Sequence, residues 1–158
     1  YREPNLRENV IPQTSKFQSQ IVVMRRDSFE QNRKLAVVVP RGLAKATLFA
    51  HTNPAAAQAI LTKITPAEYV DPKFGRLFLD TVLDMTKPPP EAFAKGEFGR
   101  NYMEAWEAYQ SFLITGKTAA EGALEKPQDL QGFLTNELIE EINNFDKERI
   151  RKMAREYK

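Results

Sequence analysis

A mixed α/β chain in which helix far outweighs strand is what the sequence predicts, with about six helices and one strand. Three observations predict it. Apolar residues recur at spacings of three and four through most of the chain, Asn53-Pro54 and Asp71-Pro72 stand where helices would begin, and one short run, Phe17-Gln-Ser-Gln-Ile-Val-Val-Met24, gathers β-branched residues. A chain of 158 residues, 42% hydrophobic and 28% charged, is long enough for one domain with its own core.

Residues Tyr1 to Lys16 hold two prolines and three Asn or Gln residues with little apolar content, so they read as a loop. The chain starts at Tyr1 rather than Met, as a processed or truncated start would. The apolar run that follows, bounded by Arg25-Arg26-Asp27, reads as a buried strand. A lone strand leaves its backbone donors and acceptors unpaired, so its neighbours are expected in other sequence or in a second copy.

From Asp27 onward the period turns helical. Leu35, Val38, Val39, Gly42, Ala46 and Phe49 fall on one helical stripe and are expected to face the core. Pro40 lies inside the stripe and lacks an amide hydrogen, so it kinks this helix or marks its first turn near Val37; one kinked helix over Arg33 to Ala50 is the preferred reading. Asn53 caps a short helix with Pro54 at its first position, running to about Lys63. Asp71-Pro72 opens the next, whose stripe is Phe74, Leu77, Phe78, Val82 and Met85, and Pro88-Pro-Pro90 follows as a stiff spacer. Tyr102, Trp106, Tyr109 and Leu113 mark another helix, closed by Gly116. Thr118 to Gln131 reads as a polar surface connection. Thr135 caps a helix with Leu138, Ile139 and Ile142 inward, and Asp146 caps the last, with Ile150, Met153, Ala154 and Tyr157 inward.

Composition narrows the function classes. The net charge is +2, from 23 Lys and Arg against 21 Asp and Glu, which is too weak a field to argue for nucleic acid or an anionic membrane. With no cysteine, disulfides, thiolate metal sites and cysteine nucleophiles all fall away. No apolar run approaches the roughly 18–20 residues that span a bilayer, and no secretory signal pattern stands at the start.

The candidate sites are few. His51 is the sole histidine, with no second imidazole and no nucleophile beside it, and reads as a helix C-terminal cap. The carboxylates Glu137, Glu140 and Glu141, and Glu104 with Glu107, have helical spacing but lie opposite the apolar stripes, as a solvated face does. Arg149, Arg151, Lys152, Arg155 and Lys158 form the densest basic cluster, interleaved with Asp146, Glu148 and Glu156 and lacking an aromatic platform, so nucleic-acid binding is not expected. Gly96 and Gly99 hint at a phosphate loop but lack the strand and lysine such a loop uses. The aromatics of the 102–113 helix form either core or a wall for a planar ligand.

Two segments carry a family resemblance: Gly42-Leu-Ala-Lys-Ala-Thr-Leu-Phe-Ala-His-Thr-Asn-Pro-Ala-Ala-Ala57 and Phe133-Leu-Thr-Asn-Glu-Leu-Ile-Glu-Glu-Ile-Asn-Asn-Phe-Asp146. Both are capping and packing sequence without chemistry. A helix, an Asn-Pro-capped helix, then a Thr-Asn-Glu segment and a helix opened by Asp together resemble the C-terminal portion of the NMT1/THI5-like solute receptors of ABC importers. That family includes binders of sulfonates, taurine, nitrate and pyrimidine precursors, and the resemblance runs over roughly Phe17 to Lys158.

The resemblance implies a two-lobed α/β receptor with the type II periplasmic-binding-protein fold. Residues 1–26 would be a loop and a crossing strand from the second lobe or hinge, and 27–158 a helical C-terminal part returning to the first lobe. It implies a periplasmic or extracytoplasmic solute-binding protein that is not an enzyme and calls for no catalytic residue, metal or cofactor. The ligand-side residues it implies are Phe17, Gln18 and Ser19, at the entry to the strand. Its partners would be a small-molecule solute, the membrane permease, and an N-terminal half or second chain completing the sheet. Two departures stand out: the family places proline where this chain has Arg33, and this chain carries Pro40 inside the helix. The alternatives are a stand-alone helical interaction module and an enzyme like the thiamin-pyrimidine synthases, whose cysteine-rich motif this chain lacks.

Overall fold

The computed structural model describes residue 18 and residues 20–115 and 124–158. Among them the regular elements are α1 (Arg26–Gln31), α2 (Arg33–Thr52), α3 (Pro54–Ile64), α4 (Pro72–Thr86), α5 (Pro90–Lys95), α6 (Met103–Thr115), α7 (Ile139–Asn143) and α8 (Lys147–Glu156), with 3-10 turns at Pro66–Tyr69 and Leu130–Gly132. No strand occurs among the described residues, which makes the architecture all-α and overturns the α/β, type II binding-protein expectation. Ile21–Met24 shows why. The run has β-branched preference, yet no described segment offers it a backbone ladder, and a strand has no stability without a neighbour. Val23 is 79% exposed, and of the four residues Met24 alone packs against the core.

The described residues fall into two compact units: residues 20–99 with 138–158, and residue 18 with 100–115 and 124–137. The larger unit is built on α2, which packs against α1, α3, α4, α7 and α8. Its principal core joins Ala36, Val37, Ala44 and Leu48 of α2 to Phe98, Leu138 and Ile142, with Met24, Phe29, Phe93, Phe145 and Ile150 around it. A second cluster joins Ala57 of α3 to Leu79 and Leu83 of α4.

The helix starts follow their capping chemistry. Asp71 accepts from the amides of Lys73 and Phe74, and Asp146 from that of Arg149, so each carboxylate also sits at the positive end of a helix dipole. Asn53 caps two helices at once. Its Oδ1 accepts from Ala56 N at 3.0 Å, and its Nδ2 donates to Ala154 O at 2.8 Å near the end of α8. A single side chain thereby satisfies an orphan donor of α3 and an orphan acceptor of α8, 101 residues away in sequence.

Three departures from the sequence reading concern which face is inside. α2 runs unbroken through Pro40, and the stripe expected inward is the outer one. Leu35 (53%), Val38, Val39 and Leu43 are exposed, as are Gly42 and Ala46, whereas Ala36, Val37, Ala44 and Leu48 are buried. At 100° per residue these two sets lie on opposite sides of the helix, so α2 is apolar on both. α4 repeats the pattern, with Phe74, Leu77, Phe78 and Met85 exposed and Gly75, Leu79 and Leu83 buried. Met153 of α8, expected inward, is exposed, while Ala154 is completely buried.

Two local expectations also change. Pro90, read as spacer, is the first residue of α5, the position where a missing amide costs nothing, and Gly96 ends that helix in the left-handed region at φ 63°. α7 is shorter than predicted and starts at Ile139; Thr135 Oγ1 accepts from Glu137 N instead of capping it. Gly116 and residues 118–123 of the 118–131 connection lie outside the described residues.

Candidate functional site

Of the three residues that the resemblance placed at the ligand, Phe17 and Ser19 lie outside the described residues. Gln18 is described, in the smaller unit, and both ends of its carboxamide bind backbone: Nε2 donates to Arg100 O and Oε1 accepts from Tyr102 N, each at 2.8 Å. Asn136 does the same for the residue between them. Its Oδ1 accepts from Asn101 N at 2.7 Å and its Nδ2 donates to Asn101 O at 2.9 Å, while Asn101 Nδ2 donates to Thr135 O.

In the larger unit Asn143 repeats the device on Phe98. Its Oδ1 accepts from Phe98 N and its Nδ2 donates to Phe98 O, both at 2.9 Å, with a further bond from Nδ2 to Ile139 O at 2.8 Å. Residues 98–102 form no regular element, so nothing periodic satisfies their backbone; side-chain amides supply both the donor and the acceptor that a neighbouring strand would. Asn136 and Asn143 both belong to the second segment that carries the family resemblance. That segment therefore works by holding backbone. The sequence shows its polar residues, but their partners are about 35 to 45 positions distant and leave no local signature.

The aromatic residues of α6 line a cleft in the smaller unit. Trp106, Tyr109, Leu113, Leu124, Leu130 and Phe133 bound a space of about 190 Å³, with Gln110 and Gln128 at its edge. Gln110 Oε1 accepts from Gln128 N at 2.6 Å, tying the wall to α6. Trp106 and Tyr109 meet edge to face, their ring centroids 6.4 Å apart. The walls are apolar almost throughout, and the indole Nε1, which has no partner among the described residues, is shielded from the space. Such a cleft has the shape for a ring but not the converging polar groups that orient a specific ligand.

The remaining candidates are resolved by position. His51 lies in the last turn of α2, where a protonated cap was expected; burial, then the Lys87 ammonium, instead pushes its pKa below the usual imidazole value, against a smaller opposite pull from Asp84. The terminal carbonyls are served by others: Thr52 Oγ1 donates to Leu48 O and Asn53 N to Phe49 O. Glu104, Glu107, Glu137, Glu140 and Glu141 are all exposed. Arg151 pairs with Glu148, and Lys152 lies 3.8 Å from Glu156, so the basic cluster on α8 is partly neutralised by its own helix. Gly96 and Gly99 both have positive φ, and the residue that follows Gly99 is Arg100 rather than the lysine of a phosphate loop.

Among the described residues no group of three or more His, Asp or Glu side chains is arranged to hold a metal, and no helix is long and apolar enough to cross a membrane. The principal unassigned feature is then the second apolar face of α2. No protein-family model matches the chain, and neither a curated protein nor a solved structure matches it.

Proposed function

We propose that this chain is the helical part of a solute-binding component of an ABC-type importer, which delivers a small organic or inorganic solute to a membrane permease and breaks no bond. The single observation that supports this reading best is the doubly apolar α2. α2 carries apolar residues on two opposite sides, with Lys34, Arg41 and Lys45 along one flank between them, and one of those apolar sides faces out through Leu35, Val38, Val39 and Leu43. The reading supplies what covers it: the part of the receptor that carries the solute pocket. The motif segments fit the same role, since Asn53, Asn136 and Asn143 hold backbone in place and none is arranged for catalysis. An extracytoplasmic location and contact with a permease follow from the reading as part of the proposal.

The test is thermal unfolding of the protein produced from its whole gene, with taurine, an alkanesulfonate, nitrate or an aminopyrimidine added. A solute at about 100 times its Kd adds roughly 2.7 kcal/mol of stability and raises the unfolding temperature measurably. No shift with any of the four at millimolar concentration rejects this reading.

A second reading, a free-standing helical interaction module, is favoured by the core around Leu48, which helices and their connections close without outside help. It differs in a measurable way: the outer face of α2 would be wet in the isolated protein and covered only on binding a partner.

A further inference from the structure

His51, Phe93 and Lys87 form a small assembly in the larger unit that the proposed function does not use. The imidazole meets the Phe93 ring edge-on, with centroids 5.1 Å apart and planes at 70°, and Lys87 Nζ lies 5.4 Å from the centroid of that same ring. His51 Nε2 is shielded from solvent and has no hydrogen-bond partner among the described residues. Phe93 is the residue of α5 that packs on the Leu48 core, and α5 itself buries no side chain completely. The helix is six residues long, bounded by prolines before it and by the left-handed Gly96 after it. A segment this short and lightly held is the kind that opens locally ahead of the rest of a fold.

We propose that His51 is a proton-operated latch: the neutral ring holds α5 against the last turn of α2 through Phe93, and the protonated ring releases it. Protonation makes both ring nitrogens donors, leaving Nε2 with no acceptor in reach, and sets a second positive charge near the Lys87 ammonium that already lies over the Phe93 ring. Moving α5 away relieves both, because water then reaches the nitrogen. Burial, then Lys87, opposes the proton and Asp84 of α4 favours it; the other charged side chains on the neighbouring elements are Glu91 and Lys95 of α5 and Lys147 and Arg151 of α8. Because the folded pKa is depressed below 6.5, docking is fully favoured above that value and is lost as pH falls through the lowered one. Release lifts Phe93 from the Leu48 cluster and exposes that edge of the core to acid solution.

The sole histidine makes the test direct, since its ring resonances titrate without ambiguity of assignment. Amide exchange of residues 92–96, corrected for the intrinsic pH dependence, is followed alongside them. Protection of α5 is expected to fall about tenfold from about pH 7.5 to about pH 5, with the midpoint of the ring titration. His51→Phe is expected to keep α5 protected throughout, and Lys87→Met, a surface change, to move the midpoint upward. The latch is overturned if protection changes less than about twofold while the ring titrates, if the fall persists in His51→Phe, or if Lys87→Met leaves the midpoint in place.

Discussion

Asn53 carries two helix ends on one carboxamide, and replacing it in steps separates them. Asn53→Ala removes the acceptor for Ala56 N and the donor to Ala154 O together. An N-cap is worth about 1 kcal/mol and a neutral, part-buried hydrogen bond about 1 kcal/mol, with an added cost for the stranded Ala154 carbonyl, so the loss is roughly 2–3 kcal/mol. Asn53→Asp keeps the cap, and its charge suits the positive end of α3, but its oxygens have no proton to offer Ala154; the expected loss is about 1 kcal/mol. Urea unfolding followed by circular dichroism reads both as shifts in midpoint at constant slope. If Asn53→Asp is as stable as the parent, the tie to α8 contributes nothing and the two-helix account of this residue is wrong.

Other substitutions probe the packing and the clamps. Gly75→Ala sets helix propensity against space: the exchange favours a helix by about 1 kcal/mol, but the new Cβ would stand 2.3 Å from the Tyr69 ring, so net destabilisation is expected in the parent and net stabilisation in a Tyr69→Ala background, a sign change that unfolding of the four variants detects. Leu48→Ala, at a residue 3% exposed in the principal core, is expected to cost about 2–5 kcal/mol in the same urea assay. Asn143→Ala breaks three bonds and leaves both backbone groups of Phe98 unserved, an expected loss of roughly 2–4 kcal/mol, with faster exchange of the Phe98 amide than of the Leu48 amide. Leu35→Gln combined with Val39→Gln, on the outer face of α2, is expected to change the stability of the 158-residue chain taken alone by less than about 0.5 kcal/mol, and to destabilise the protein produced from the whole gene by more than about 2 kcal/mol, both read by urea unfolding.

The sequence conveyed what is local. Asn53-Pro54, Asp71-Pro72 and Asp146 each announce a helix start through chemistry confined to three or four residues, and each forms where expected. The inward faces of α2 and α4 are not legible in the sequence because both helices carry two apolar stripes: periodicity identifies a helix, but it cannot rank Leu35 against Leu48 when both recur at the same spacing. The strand over Ile21–Met24 failed for a related reason, since β-branched residues state a preference that only a neighbour can realise. α5 was hidden by its prolines, which mark a helix start as readily as a spacer. The carboxamide clamps on Phe98 and Asn101 depend on partners far along the chain, as does the contact of His51 with Phe93, and no local pattern encodes such distances.

The claim at the centre of the functional reading is that the outer face of α2 is an interior surface in the working protein. These 158 residues contain no cysteine, so Val39→Cys gives them a single thiol, at the middle of that face, whose modification is read from the peptide that carries it. Its labelling rate in the protein produced from the whole gene, set against the rate in urea, measures how far water reaches it. The account predicts labelling at least about 100-fold slower in the native protein; a rate within about tenfold of the unfolded one contradicts it, leaving α2 with an open apolar side and the receptor reading without its support.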